Sequence, residues 1–201
     1  MADETNTPSL PATGWAVLGL LSFGEELSGY DLKKWADRSL RFFYWSPSFS
    51  QIYGELRRLE KAGYATSRTV TQEGATRGKR IYRITGEGME AVRRWAREMP
   101  VDPPVLKHGP MLRLWLGHLL EPEQMREVLV RQQEFAEEMR RGAVADAQAA
   151  QDEPAWAMPV LTLRWAERYY AAERDLAAAM LDDVEALIAA RPPKPAAEPS
   201  G

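Results

Sequence analysis

Residues 45–63 read WSPSFSQIYGELRRLEKAG and contain a clear helical pattern. Ile52, Leu56 and Leu59 recur at i, i+4 and i+7, the spacing that places three side chains on one face of a helix. Polar and charged residues fill most of the other positions. The pattern predicts an amphipathic helix of about 14 residues whose aliphatic face is buried and whose other face is open to a partner.

Signals for both ends of this helix are present in the same stretch. Pro47 suits the first helical position, and Ser48 with Gln51 has the spacing of a capping box. Gly63 is the residue type expected just after a helix end. We therefore place the helix between Pro47 and Gly63.

The face opposite the aliphatic residues suits the major groove of DNA, which is wide enough to admit a helix. Its side chains combine hydrogen-bonding groups, a small residue and cations: Ser48, Ser50, Gln51, Tyr53, Gly54, Arg57 and Arg58. Two of them have more than one interpretation. Gln51 suits either an adenine edge or the capping box of Ser48, and Tyr53 suits either a phosphate or packing on Trp45.

The neighbouring segments complete a winged helix-turn-helix. The patterns predict a first helix capped by Thr13 and a second that opens with Ser28 and Asp31 at capping-box spacing. Alternating, β-branched stretches then predict a hairpin. In chain order the segments are helix 13–22, helix 28–38, the helix of residues 48–62, strand 64–71, strand 80–85 and helix 86–98. Three helices followed by a β-hairpin wing and a fourth helix form a DNA-binding domain over residues 13–98.

Charge is distributed unevenly along the chain. The whole sequence carries a net charge of −3, but residues 28–98 carry 15 Lys and Arg against eight Asp and Glu. The hairpin tip contributes Arg77, Lys79 and Arg80, which we predict to lie over phosphates of the DNA. Residues 99–201 are acidic and are predicted to keep the molecule in solution.

The second half is predicted to be helical. Pro100, Pro103 and Pro104 indicate a linker at 99–108, and apolar residues at helical spacing follow over 109–189. The helices predicted there are 109–120, a longer one that begins at Pro122, and a last one over 160–189. The last helix has an apolar stripe along one side: Trp165, Tyr169, Ala172, Leu176, Met180, Val184 and Leu187. Residues 1–12 are predicted to be a flexible arm and residues 190–201 a disordered tail. The fold class is therefore mainly α with a small β-hairpin wing, an N-terminal winged helix-turn-helix joined to a C-terminal helical dimerisation domain.

Aromatic residues of the helical half suggest a ligand. Trp115, Trp165 and Tyr169 can sandwich a flat hydrophobic effector, or they can form a helix core and dimer seam. The spacing of Trp165 and Tyr169, i and i+4, favours packing across a seam.

Composition argues against several classes of function. The chain has no Cys and two His, His108 and His118, which we assign to surface or linker positions, so no metal site and no cofactor is expected. The glycines of residues 74–79 lack the spacing and the following Ser or Thr of a phosphate-binding loop. No nucleophile–base motif is found, so no catalytic residue is assigned. No signal peptide or membrane span is predicted, and we expect a cytoplasmic protein.

Three stretches resemble the PadR family of transcriptional regulators: residues 45–63, the SGYDL of 28–32 and the KRIYRITGEG of 79–88. The resemblance covers residues 14–98 almost continuously. It implies a homodimeric repressor that is relieved by a small effector, which is aromatic in some members. The two-fold symmetry of such a dimer predicts an inverted-repeat operator in double-stranded DNA.

We therefore predict a homodimeric DNA-binding regulator that is not an enzyme. One alternative is a protein-interaction adaptor that uses the winged helix without binding specific DNA. Another is a ligand-binding or enzymatic helical protein with a vestigial DNA module. The adaptor differs from the regulator in lacking affinity for DNA at low salt.

Overall fold

The computed structural model describes residues 10–71, 78–101 and 103–190. Its contacts divide the chain into two units. The first contains Met1–Pro103 and Ala150–Thr162, and the second contains Pro104–Ala149 and Leu163–Gly201. The predicted elements at 1–9 and in the tail beyond residue 190 lie outside the described residues.

The predicted helices and hairpin occur in the first unit in the predicted order, and the predicted fold class is confirmed. Its elements are α1 (Ala12–Leu21), β1 (Leu27–Ser28), α2 (Gly29–Arg38), a 3-10 turn (Leu40–Phe42), α3 (Phe49–Lys61), β2 (Ala65–Val70), β3 (Lys79–Ile84) and α4 (Gly86–Glu98).

The three strands form one antiparallel sheet in the order β1-β3-β2. Tyr82 of β3 lies opposite Leu27 of β1 on one side and opposite Ser67 of β2 on the other. The hairpin was predicted, whereas β1 was not, because a two-residue strand has no measurable alternation. Its pairing joins the wing to the start of α2.

Two capping boxes fix where α2 and α3 begin. The Asp31 and Gln51 backbone N–H groups each donate to the serine hydroxyl three residues earlier, at 3.3 Å. The two side chains in turn accept from the Ser28 and Ser48 backbone N–H groups at 2.9 and 2.8 Å. Both boxes were predicted. The placement of Pro47 at the first helical position was wrong. Ser48 is the N-cap, and the first helical residue of α3 is Phe49.

The core of the first unit lies between α1 and α3. Ile52, Leu56 and Leu59 are completely buried, as their spacing predicts, and pack in one cluster with Val17 and Leu18 of α1. Each such side chain contributes about 1.5–3 kcal/mol by leaving water. This burial leaves the opposite face of α3 for the surface.

The start of α1 differs from the prediction. Thr13 was expected to be the N-cap, but α1 begins at Ala12, and Pro11 in the cap position makes no side-chain cap. Leu10 is buried in the core cluster. The chain is therefore packed against the domain from Leu10 onward, two residues before the predicted end of the arm.

Long helices make up the second half. The elements are α5 (Gly109–Trp115), a 3-10 turn (Gly117–Leu119), α6 (Pro122–Ala150), a 3-10 turn (Pro154–Trp156) and α7 (Ala157–Ala189). The helix predicted for 109–120 is shorter than expected, because Gly117 follows its end and the chain tightens into a 3-10 turn. Helix α7 begins three residues before the predicted Val160.

His108 is a structural residue, not a surface or linker residue as predicted. Its side chain is 14% exposed, its Nδ1 accepts from the Met111 backbone N–H at 3.2 Å, and its Nε2 contacts Glu173. The amide of Gln132 donates to the same carboxylate at 3.0 Å. His108 thus caps α5 and joins it to α7, and the two contacts fit the neutral tautomer with the proton on Nε2.

Helix α7 has two apolar faces. Leu163, Ala166, Tyr170, Ala177 and Val184 are buried. The stripe predicted from sequence shares only Val184 with this buried face, and four of its large members are exposed: Trp165, Tyr169, Leu176 and Leu187. The residues buried within the chain are therefore not those with the strongest aromatic signal.

Packing of α4 against the hairpin generates a test of stability. A Cβ atom at Gly88 would lie 2.2 Å from the carbonyl oxygen of Tyr64, which accepts the Thr85 N–H at 3.0 Å. We expect Gly88→Ala to lower the free energy of unfolding by about 1–3 kcal/mol, because backbone must move. Gly19→Ala is the control, since nothing lies within 4 Å of a Cβ there. Urea denaturation measures both, and equal stability of the two variants would contradict the packing.

A second test concerns the carboxylate between α6 and α7. Hydrogen bonds from Arg140 and Arg174 lower the pKa of Glu137 from 4.5 to about 2. The ionised form is therefore stabilised in the folded state, and this contribution is present above pH 4.5 and disappears as the pH falls towards 2. We expect the stability gap between wild type and Glu137→Gln to shrink over that range in urea titrations. The gap for the exposed neighbour Glu138→Gln should stay small throughout, and a pH-independent Glu137 gap would contradict the prediction.

Candidate nucleic-acid interface

The outward face of α3 is open to solvent. Ser50, Tyr53 and Arg57 are exposed and follow one another at 3–4 residue spacing, with the half-buried Gly54 beside Tyr53. Buried Ile52, Leu56 and Leu59 occupy the opposite face. Because N-terminal residues of a recognition helix reach base edges, this is the face that a major groove would meet.

Gln51 and Ser48 are partly occupied by their capping box. Oε1 of Gln51 accepts from the Ser48 backbone, and Oγ of Ser48 accepts from the Gln51 backbone. Ser48 also shares a hydrogen bond with Ser50 at 3.0 Å. Both side chains are nevertheless exposed. Of the two predicted roles of Gln51, the structure contains the capping role, and only its amide nitrogen remains to act as a donor to a base.

Tyr53 lies against the start of α2. A Cβ atom on Gly29 would be 2.6 Å from the Tyr53 ring, so the absence of a side chain at Gly29 makes room for it. Trp45, the other predicted partner of Tyr53, stacks on Tyr44 with ring centroids 4.1 Å apart. Tyr53 is held by α2 while part of its ring stays exposed.

Two wing cations have internal partners. Nζ of Lys79 lies 3.0 Å from Oδ2 of Asp31, the capping residue of α2. Partial burial would raise the pKa of Asp31, but hydrogen bonds from Ser28 and the Lys79 pair outweigh it and hold the pKa below its usual value. The wing is thereby tied to the first turn of α2.

Arg80 ties the wing to the end of α3. Its guanidinium donates to Glu60 at 2.9 Å and to Ser67 at 2.8 Å, and Ser67 donates to Glu60 at 2.6 Å. It also lies 5.4 Å from the ring centre of Tyr82, whose pKa is raised chiefly by burial. The orientation of the wing relative to α3 is set by this network. Arg77, the third predicted wing cation, lies outside the described residues.

Arg57 and Arg58 differ although they are neighbours. Nη1 of Arg58 lies 3.6 Å from Oε2 of Glu55. With the residues that the structure describes, Arg57 makes no hydrogen bond or ion pair, and it is exposed. Arg57 is therefore the cation of this face that can meet a phosphate or base without leaving an internal partner.

The three residues predicted to bind an effector do not form one site within the chain. Trp115 is 78% exposed and lines a groove of about 480 Å³ with Met180 and Leu187. Trp165 is 51% exposed and stacks on Tyr169, with centroids 5.1 Å apart. Fifteen residues of α7 separate Trp165 from Met180, a rise of about 22 Å.

One cluster of three aromatic side chains was not predicted from the sequence. Trp156 stacks on Phe23 with centroids 5.2 Å apart and meets Trp35 edge-on at 4.8 Å. All three belong to the first unit. They come from separate segments, and no local spacing connects them.

No metal site or membrane span is found in the part of the chain that the structure describes. Across residues 10–71, 78–101 and 103–190, His, Cys, Asp and Glu nowhere gather into a group of three that suits a metal ion. None of the helices in these ranges has the length and apolarity needed to cross a bilayer.

The match to a known protein family falls within the first unit. Residues 17–94 match the model of the transcriptional regulator PadR-like family. The chain is 37% identical over 111 residues to the negative transcriptional regulator PadR of Bacillus subtilis strain 168, and this alignment covers 55% of the chain and 59% of that relative.

Solved structures of the same Bacillus subtilis regulator extend the likeness in fold. The structure in complex with operator DNA has a TM-score of 0.70 and 26% identity, covering 87% of the chain and 99% of that structure. The structure with p-coumaric acid has a TM-score of 0.65 and 21% identity, covering 88% of the chain and 99% of that structure. Residues 17–94, which span most of the winged helix, are therefore similar to the PadR-like family of transcriptional regulators.

Proposed function

We propose that this chain is a homodimeric, DNA-binding repressor whose affinity for its operator is lowered by a small aromatic effector. The observation that carries the proposal is the open face of α3, where Ser50, Tyr53 and Arg57 stand exposed above a completely buried aliphatic face. The wing beside it is fixed by Lys79 and Arg80. Such a helix enters the major groove while the wing meets the adjacent backbone.

The relatives support the same role. The Bacillus subtilis protein is described as a negative regulator, and it has been solved with operator DNA. A domain with net positive charge over residues 28–98 fits a polyanionic partner. We assign Ser48, Ser50, Gln51, Tyr53, Arg57, Arg77, Lys79 and Arg80 to the DNA interface.

The exposed stripe of α7 supports dimerisation. Trp165, Tyr169, Leu176 and Leu187 lie on one side of the helix and are exposed in the single chain. A contiguous apolar surface of this kind is typical of protein–protein contacts. In a two-fold dimer the two copies of α3 read half-sites about 34–36 Å apart, so the operator is an inverted repeat.

Relief by an effector is the remaining part of the proposal. Two aromatic surfaces of the second unit suit a flat ligand: the Trp165–Tyr169 stack and the groove beside Trp115. The Bacillus subtilis regulator has been solved with p-coumaric acid, a flat aromatic molecule. A ligand at the seam changes the spacing of the two recognition helices and so weakens binding to both half-sites.

Selection of duplexes from a random DNA pool tests the proposal. We expect the chain to enrich inverted repeats, with an affinity that falls steeply as salt rises, because phosphate contacts release counterions. A chain that enriches no sequence and has no measurable affinity at low salt is an adaptor instead.

Neighbouring arginines of α3 provide a matched pair. We expect Arg57→Ala to weaken binding of the selected duplex about tenfold, since one contact of a free cation contributes about 1–3 kcal/mol, and to reduce the salt slope by about one if the contact is to phosphate. Arg58→Ala removes the same charge from a residue paired with Glu55 and should have a much smaller effect. Fluorescence anisotropy over a salt series measures both. Equal losses of affinity in the two variants would show that Arg57 acts only through the overall positive charge of the domain.

Two glutamate substitutions test the seam. Leu176→Glu places a charge in the exposed apolar stripe, and we expect it to turn a dimer into a monomer because the carboxylate would be buried without a partner. Ala186→Glu introduces the same charge at an exposed position about 80° further round α7, outside the stripe. Sedimentation velocity measures both. A dimeric Leu176→Glu variant, or a wild type that is monomeric at every concentration, would contradict the proposed seam.

A further inference from the structure

An exposed aromatic pair lies at the start of the recognition helix. Phe49 is the first residue of α3 and is 45% exposed, and Tyr30, in the first turn of α2, is 64% exposed. Their rings are nearly parallel, with an interplanar angle of 16° and centroids 6.3 Å apart. Large apolar rings that stay in water indicate a surface that is covered on binding.

Phe49 shares its face of α3 with the proposed DNA-binding residues. Tyr53 and Arg57 follow it at i+4 and i+8, which places all three along one side of the helix. Ser48 and Ser50 flank it with hydroxyl groups. A helix inserted by this side brings the Phe49 ring into the groove together with the polar groups.

The major groove offers one apolar partner to such a ring. All four bases present hydrogen-bond donors or acceptors there, and thymine alone adds a C5-methyl group beside its O4 acceptor. A phenyl ring makes no hydrogen bond, so it is desolvated without loss only against that methyl group. Tyr30 lies beside this ring in an offset parallel arrangement and limits the positions that Phe49 occupies.

We propose that Phe49, supported by Tyr30, is a specificity-determining residue that selects thymine in each operator half-site through contact with the C5-methyl group. The inference rests on the proposed DNA-binding function and adds the base that this residue reads. It also assigns the exposed aromatic surface to DNA and not to a protein partner.

Replacement of thymine by deoxyuracil tests this contact, because it removes the methyl group and leaves every hydrogen-bonding group in place. In the duplex selected by the wild type, symmetric pairs of thymines are replaced one pair at a time. We expect replacement of one particular pair of thymines to weaken wild-type binding about fourfold for each half-site. This ratio corresponds to about 0.8 kcal/mol for one buried methyl-sized group.

The same series with Phe49→Ala completes the cycle. We expect this variant to bind the thymine duplex more weakly and to show no further loss with uracil at that pair. Phe43→Ala, which removes another exposed aromatic ring from the turn before α3, should keep the full uracil penalty. Circular dichroism confirms that each variant is folded, and the exposure of both residues makes folding of the variants the expected result.

Three results separate the possibilities. A wild type that binds its selected duplex but ignores every thymine-to-uracil change overturns the role of Phe49 and leaves the regulator proposal standing. A Phe49→Ala variant that keeps the uracil penalty also overturns it, because another residue then reads the methyl group. A wild type that selects no duplex overturns both proposals.

Discussion

Complete burial of one face of α3 holds this helix in a single orientation within the domain. Ile52, Leu56 and Leu59 have no exposed surface, and each contributes about 1.5–3 kcal/mol by packing against the neighbouring helices. A rotation of α3 about its axis would expose these side chains and bury Arg57. The face that meets a partner is therefore determined by the core and not by the partner.

Local signals in the sequence predict the beginnings of the helices well. Ser28 and Ser48 form the capping boxes that their spacing indicates, because a capping box needs only two residues three positions apart. The same locality explains the errors. Proline is favoured at the first helical position, which would make Pro47 the first residue of α3. Ser48 cannot then be the N-cap, because the N-cap precedes the first helical residue, and the capping box of Ser48 prevails. Strand β1 is too short to carry any periodicity.

Contacts between residues that are far apart in the sequence could not be predicted from local patterns. Lys79 meets Asp31 across 48 positions and Arg80 meets Glu60 across 20, and a cation in a basic stretch gives no sign of which acid will face it. Helix α7 shows the same limit, since two apolar stripes read alike and the aromatic one proves to be the exposed one. The sequence predicts which residue types lie at the candidate interface. It does not predict which of these residues form ion pairs within the chain.

The internal pairs of the wing alter the thermodynamics of any polyanion contact. When Lys79 turns to a phosphate it leaves a carboxylate, so the event is an exchange of one anion for another. Asp31 retains its hydrogen bonds from Ser28 after the exchange, and the start of α2 stays intact. The formal cation count of the domain therefore overstates the net release of ions, because the carboxylate that Lys79 leaves takes up a cation from solution. The pairs with Asp31 and Glu60 give the wing its geometry more than they give it affinity for a polyanion.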